Sequence, residues 1–268
     1  MSKSTVISKV DGLILRESGP WIKKKHHYLT EYAAIFTIGM SKKWQNLTYI
    51  DLFAGPGRCI IKSAPDEFDG SPLLMLQHNF SHYIFVEEDR KIMQALQKRC
   101  ESSPKYSHIT FINADCHKAI EQVIEKIPYK SLSLAFIDPV DINIPFATLR
   151  SFSQTPYGID LLINVQLGMD IKRNFELYKS QGDDSRLGSF LGGSVPWDQL
   201  RDTVDVIKLY KERIGKLGYS RVEYTDIPVH NTKKAEMYFL MFASKNPRGL
   251  HFWKQITRKD HLGQKELF

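Results

Sequence analysis

The sequence predicts an α/β fold: a mostly parallel sheet with helices on both faces, closed by an antiparallel C-terminal hairpin strand. Three observations carry that expectation. Short, nearly continuous apolar runs recur along the chain, as expected of strands buried on both faces. Stretches with helical spacing separate them, and the alternation of the two favours parallel pairing. Finally, successive apolar runs end in polar clusters that contain an acid.

The elements follow in order. Residues 1–19 form a weakly patterned leader. A helix is predicted from near Pro20 to about Gly39, with Trp21, Tyr28, Leu29, Tyr32, Ile35 and Phe36 on one face. Lys23, Lys24, Lys25, His26 and His27 crowd its first turns, against the helix dipole. They read either as a solvated face or as a site for an anion.

Leu47–Phe53 is the first strand and ends in Ala54-Gly55-Pro56-Gly57. Tyr83–Val86 ends in Glu87-Glu88-Asp89, before a helix through Ile92, Leu96 and Cys100. Ile109–Ile112 ends in Asn113-Ala114-Asp115, before a helix through Ile120, Val123 and Ile127. Leu132–Ile137 ends in Asp138-Pro139, and Ile159–Val165 is the fifth run. After a helix over about 202–217, Val222–Val229 and Met237–Ala243 read as a hairpin across the polar turn 230–234, with Pro228 marking an edge strand.

The 268 residues are 42% hydrophobic and 25% charged, which are globular proportions and exclude a disordered chain. The formal net charge of +7 permits an anionic partner such as nucleic acid. No apolar run approaches the roughly 20 residues of a spanning helix. Asp11, Arg16 and Glu17 interrupt the start, so no secretory leader is expected and the chain reads as cytoplasmic. Three cysteines, Cys59, Cys100 and Cys116, without paired spacing indicate neither a disulfide framework nor a metal site.

In an open α/β sheet, ligands bind beyond the carboxyl ends of the strands. The glycines at 55 and 57 let backbone pass close to a ligand, although FAGPG is not the GxGxxG dinucleotide loop. Glu87 stands where a carboxylate takes both hydroxyls of a ribose. Asp115 is placed to accept from an adenine amine, and Asp138 to meet a reacting group. Each acid also has an ordinary reading, as a helix cap or first-turn acid.

This order of motifs resembles the class I S-adenosylmethionine-dependent methyltransferases, whose first motif Tyr49–Gly57 matches in its DLFAGxG form. The resemblance implies a Rossmann-like fold over roughly 45–245 and S-adenosylmethionine as cofactor. It assigns the methionine part to the 51–57 turn (Asp51, whose carboxylate can accept from a ligand amine, with Phe53, Ala54, Gly55 and Gly57), the ribose to Glu87 and the adenine to Asp115 and its neighbour Cys116. Asp138 and Pro139 become the catalytic pair.

A narrower likeness spans nearly the whole chain. Lys25–Leu29, YIDLFAGPGRC (49–59), GSPLL (70–74), YIFVEED (83–89), AFIDP (135–139), IPFATL (144–149), DLLIN (160–164), GMDIKRN (168–174) and ASKNPRGLHFW (243–253) resemble the three-Cys-motif partner proteins, TcmP. That resemblance implies a partner protein with a three-cysteine motif of the radical S-adenosylmethionine kind. On this reading residues 1–44 are a leader and helix packed on a methyltransferase-like domain, 45–268.

The expected activity is methylation of a nucleic acid or nucleotide-like acceptor. His26, Lys172, Arg173 and Asn174 are candidates to touch that acceptor. Two departures qualify it. Amino-methyltransferases of nucleic acids carry [DNS]PP[YF], whose aromatic stacks on a flipped base, whereas this chain reads Asp138-Pro139-Val140-Asp141. Cytosine C5 chemistry needs a Pro-Cys nucleophile, and there is no such pair. The missing aromatic keeps an alternative open, a non-catalytic subunit of the same fold that serves the partner.

Overall fold

A computed structural model describes residues 5–62, 66–166, 170–219, 221–224, 229–230 and 236–258. The chain divides into two compact units, Met1–Phe136 with Lys254–Phe268, and Ile137–Trp253.

The first unit opens with two strands, β1 (Thr5–Ile7) and β2 (Ile14–Ser18), where the sequence showed only a weakly patterned leader. They pair antiparallel with each other, and β2 runs parallel to β4 (Arg58–Ile61), which pairs antiparallel with β5 (Glu67–Asp69). The result is a small four-stranded sheet. Its strands are three to five residues long and carry only short apolar runs, and the β2–β4 pairing joins residues some forty positions apart.

Helix α1 (Ile22–Met40) matches the expected helix. Its Tyr32 and Phe36 are buried, and Phe36 lies 5.8 Å from Phe80, which in turn packs on Tyr49 at 5.6 Å and Tyr83 at 5.9 Å. Truncating a side chain as buried as Phe36 to Ala costs about 3–5 kcal/mol. The cationic first turns depart from a fully solvated face. Lys25 and His26 are buried, and His26 meets Phe68 of the small sheet edge-on at 6.2 Å.

Strand β3 (Asn46–Asp51) leads into the glycine turn, and helix α2 (Ser71–Met75) follows the small sheet. Then come β6 (His82–Val86), α3 (Arg90–Cys100), β7 (Ile109–Ile112), α4 (Ile120–Glu125) and β8 (Ser131–Ile137). β3 pairs parallel with β6 and with β8, and β6 pairs parallel with β7. The order is therefore β8-β3-β6-β7. Chain direction across the sheet reverses beside β3, which makes the ends of β3 and β8 the switch point where such sheets bind ligands. Asp51 and Phe136 are register partners there.

The second unit contains α5 (Phe146–Ser153), β9 (Gly158–Val165), α6 (Lys172–Gln181), α7 (Arg186–Leu191), α8 (Thr203–Lys216), β10 (Arg221–Tyr224), β11 (Val229–His230), β12 (Glu236–Ser244) and α9 (Pro247–Ile256). β12 runs antiparallel to β9, and β10 and β11 both pair antiparallel with β12. The antiparallel C-terminal hairpin is present; within the expected run Val222–Val229, β10 is described to Tyr224 and β11 from Val229, and residues 225–228 lie outside the described residues. Pro228 and the turn residues 231–234 lie outside the described residues. The final apolar segment is helical, and Trp253 stacks on Phe242 at 5.1 Å. The fold class is the expected one, a Rossmann-like α/β protein with a mostly parallel sheet and an antiparallel C-terminal hairpin.

Candidate functional site

The glycine turn is built by its neighbours. Asp51 is completely buried; the Tyr49 hydroxyl donates to its Oδ2 (3.0 Å) and the Phe53 N–H to its Oδ1 (3.2 Å). It therefore shapes the turn from beneath, rather than offering the acceptor to a ligand that its position in the sequence suggested. The Leu52 N–H donates to the Phe136 carbonyl (3.1 Å) and the buried Ala54 N–H to the Val86 carbonyl (2.9 Å). Gly55 and Gly57 take φ of +65° and +86°, which an L side chain rarely adopts. Phe53 at the turn is half-buried.

One anchor was hidden in a helical stretch. The buried Arg99 guanidinium of α3 donates to the Pro56 carbonyl (2.6 Å), to the Ile14 carbonyl (2.7 Å) and to both oxygens of Asp11 (2.8 and 2.9 Å). That contact holds the Asp11 carboxyl well below the usual carboxylate range.

Glu87 is half-buried at the end of β6. Its Oε2 accepts from the Gly55 N–H (3.1 Å) and its Oε1 from the Asp89 N–H (3.0 Å). The capping role belongs to Asp89 instead, whose Oδ1 accepts from Lys91 and Ile92 N–H at 2.8 and 3.1 Å. The Asn113 amide donates to the carbonyls of Glu87 (2.8 Å) and Glu88 (2.9 Å), fixing this strand end. Asp115 takes its ordinary reading in part: its Oδ1 accepts from His117 and Lys118 N–H (2.9 and 3.2 Å). The Cys116 thiol is buried and pushed up to about 12 by burial, with the Asp115 carboxylate adding to it, so it is a neutral thiol and no nucleophile. The turn, Glu87 and the Asp115 region thus lie at neighbouring strand ends of one sheet. Above Gly55 the space is open, with no atom within 4 Å of where a Cβ would stand.

The second unit holds the other polar group. Asp138 is 4% exposed and its Oδ1 accepts from the Asn164 Nδ2 at 2.5 Å. Burial, with the Asp138 carboxylate adding to it, holds the Tyr238 hydroxyl well above its ordinary value. The Pro139 carbonyl accepts from Gln166 Nε2 (3.2 Å). Asn164 Oδ1 is buried without any partner, an omission that costs about 1–3 kcal/mol where nothing compensates it.

Asp170, missed in the sequence, is the hub of the surrounding loop. Its Oδ2 accepts from the Ile142 N–H (3.1 Å), and its Oδ1 from Asn174 Nδ2 (2.9 Å) and the Tyr178 hydroxyl (2.5 Å). Asn174 is thereby committed to structure, while Lys172 and Arg173 are exposed at the start of α6. His26 faces the small sheet through Phe68. Among the described residues no group of three or more His, Cys, Asp or Glu is placed to hold a metal ion. No described helix is long and apolar enough to cross a membrane.

Comparison with known proteins gives the fold and stops there. No protein-family model matches the chain, and no curated protein sequence matches it. Among solved structures, a Legionella pneumophila protein described by the family model DUF519 is similar at 11% identity and a TM-score of 0.54, over 91% of this chain and 95% of that one. Spermidine synthase from Thermotoga maritima is similar at 13% identity and a TM-score of 0.50, over 96% of this chain and 76% of that one.

Proposed function

We propose that the chain binds S-adenosylmethionine and methylates a nucleic acid or nucleotide-like acceptor, and that within the methyltransferase-like proteins it belongs with the three-Cys-motif partners. One observation carries the cofactor reading. Glu87 is tied to the Gly55 N–H at the switch point of the sheet, beside a glycine whose missing side chain leaves open space. A carboxylate beside a glycine turn suits a ribose and the chain attached to it. In this reading Phe53, Ala54, Gly55 and Gly57 border the methionine part and Glu87 the ribose. The Asp115–Cys116 segment borders the adenine.

When bound, the cofactor supplies an electrophilic sulfonium methyl. The protein's own work is positioning, which accounts for much of the acceleration in such displacements. Asp138 orients the acceptor and takes its proton. Exposed Lys172 and Arg173, joined to the Asp138 loop through Asp170 and Ile142, suit a phosphate of the acceptor.

The test is calorimetric titration with S-adenosylmethionine and S-adenosylhomocysteine. Saturable binding that weakens roughly tenfold to a hundredfold in Glu87→Ala is expected. No binding at millimolar ligand sinks the cofactor reading.

A second reading rests on Asp141, a half-buried acid that stands where a base-stacking aromatic would be. In it, the chain is a non-catalytic subunit of a three-Cys-motif radical S-adenosylmethionine protein. Cofactor binding without methyl transfer to RNA or DNA, together with a stable complex with that partner, favours this reading over the first.

A further inference from the structure

A buried arginine of α3 ends on the glycine turn, where the backbone has two states open to it. We propose that Arg99 is a positioning residue for the cofactor, and that the N-terminal hairpin β1–β2 acts through it to set how tightly the turn holds S-adenosylmethionine. This rests on the cofactor reading above.

The Pro56–Gly57 peptide carries that choice. Before it, the Ala54 N–H is held by the Val86 carbonyl and the Gly55 N–H by Glu87. After it, the Gly57 carbonyl accepts from the Gly70 N–H (2.7 Å). The Pro56 carbonyl has one donor among the described residues, Arg99 Nη1 at 2.6 Å. Glycine adopts either sign of φ, so the backbone alone does not fix the +86° of Gly57. Proline fixes its own φ and leaves ψ to rotate. Turning Pro56 ψ and Gly57 φ together would invert this planar peptide while its flanks stay in place, exchanging the directions of its C=O and N–H. Only the observed orientation gives the Pro56 oxygen to Arg99.

The hairpin aims that arginine. Arg99 Nη1 also donates to the Ile14 carbonyl (2.7 Å), and Nε and Nη2 donate to the two oxygens of Asp11 (2.8 and 2.9 Å). A two-pronged carboxylate contact fixes the plane of a guanidinium, and the Arg99 side chain is only 4% exposed. Asp11 and Ile14 therefore hold Nη1 against the turn and favour one state of the peptide. In the cofactor reading the turn borders the methionine part, so its two states present different surfaces to the ligand. A ligand that prefers the held state binds in proportion to how much of the protein is in it.

Calorimetric titration with S-adenosylhomocysteine tests this, at a temperature where circular dichroism shows each variant folded. Arg99→Gln is expected to weaken binding at least about fivefold, and Asp11→Asn to weaken it by less. Met40→Ala, a buried truncation in α1, is the control: it should lower the melting temperature and leave the affinity of the folded protein within about twofold. Because coupling is reciprocal, S-adenosylhomocysteine should also slow amide hydrogen exchange in residues 12–18 of the wild-type protein. Wild-type affinity in Arg99→Gln overturns the proposal and leaves Arg99 a purely structural residue. An equal loss of affinity in Met40→Ala, or hairpin exchange that the ligand leaves unchanged, overturns it as well. If Arg99→Gln does not fold, Asp11→Asn and the wild-type exchange measurement decide. Failure of the wild-type protein to bind S-adenosylhomocysteine is a different result: it removes the cofactor reading, and this inference falls with it.

Discussion

Gly55 and Gly57 sit two residues apart, both with left-handed backbone, yet their surroundings separate their roles. A Cβ on Gly57 would stand 2.9 Å from Leu96 Cδ1, whereas one on Gly55 would meet nothing within 4 Å. Gly55→Ala should therefore cost only the backbone term, about 1–2 kcal/mol, and fill the open space of the proposed cofactor site. Gly57→Ala should cost that term and a clash with the helix behind it. We expect Gly55→Ala to weaken S-adenosylhomocysteine binding about tenfold or more while losing little in urea melts, and Gly57→Ala to lose more stability. Equal losses of stability in the two variants would remove the distinction. This turn was legible in the sequence because its chemistry is local. Asn164 and Asp170 were not, since their roles are set by partners 26 and 28 residues away.

At the scale of elements, the strands with nearly continuous apolar runs and the helices between them were readable from the sequence pattern. The small sheet was not: β1, β4 and β5 are only three or four residues long, and tertiary contacts define them. Arg99 is the contact that joins this sheet to the glycine turn, through Asp11, Ile14 and Pro56. Arg99→Ala leaves Asp11 and two carbonyls without their donor, and should cost about 3 kcal/mol, the low end for a broken buried pair. The low end applies because the Asp11 side chain is 27% exposed. A pH dependence follows with a definite sign. The folded protein holds Asp11 below its ordinary value of 3.8, so the unfolded chain binds more protons in acid and stability rises with pH. Glu67, lowered chiefly by the Ser8 hydroxyl and also by the Lys9 N–H and Arg58, adds to the same trend. Their contribution is full above the ordinary carboxylate values and is lost as pH falls below about 4. Melting curves should show Asp11→Asn well below wild type at pH 7 and the gap beginning to narrow once pH falls below about 4. A gap that stays constant over that range would show that the ion pair is not its cause.

For the whole molecule, the α/β class was legible because alternating buried strands and helices leave few other architectures, and because a switch point then follows from strand order. The acceptor was less legible, since net charge is a sum and says nothing of where charges lie. The structure places two of the exposed cations, Lys172 and Arg173, directly after Asp170, which bonds the loop behind Asp138. A net charge of +7 attracts any polyanion, so attraction alone does not distinguish a specific site from general stickiness. The salt dependence does. Each phosphate neutralised on a single strand adds a slope of about −0.7 to log K against log salt. If Lys172 and Arg173 each meet a phosphate, the double variant Lys172→Gln/Arg173→Gln should lower the magnitude of that slope by up to about 1.4. Control substitutions at Lys42 and Lys43, exposed at the end of α1, should leave it nearly unchanged. Equal slope changes in the two double variants would mean diffuse attraction over the surface, and the acceptor would then have to be sought among uncharged or small molecules.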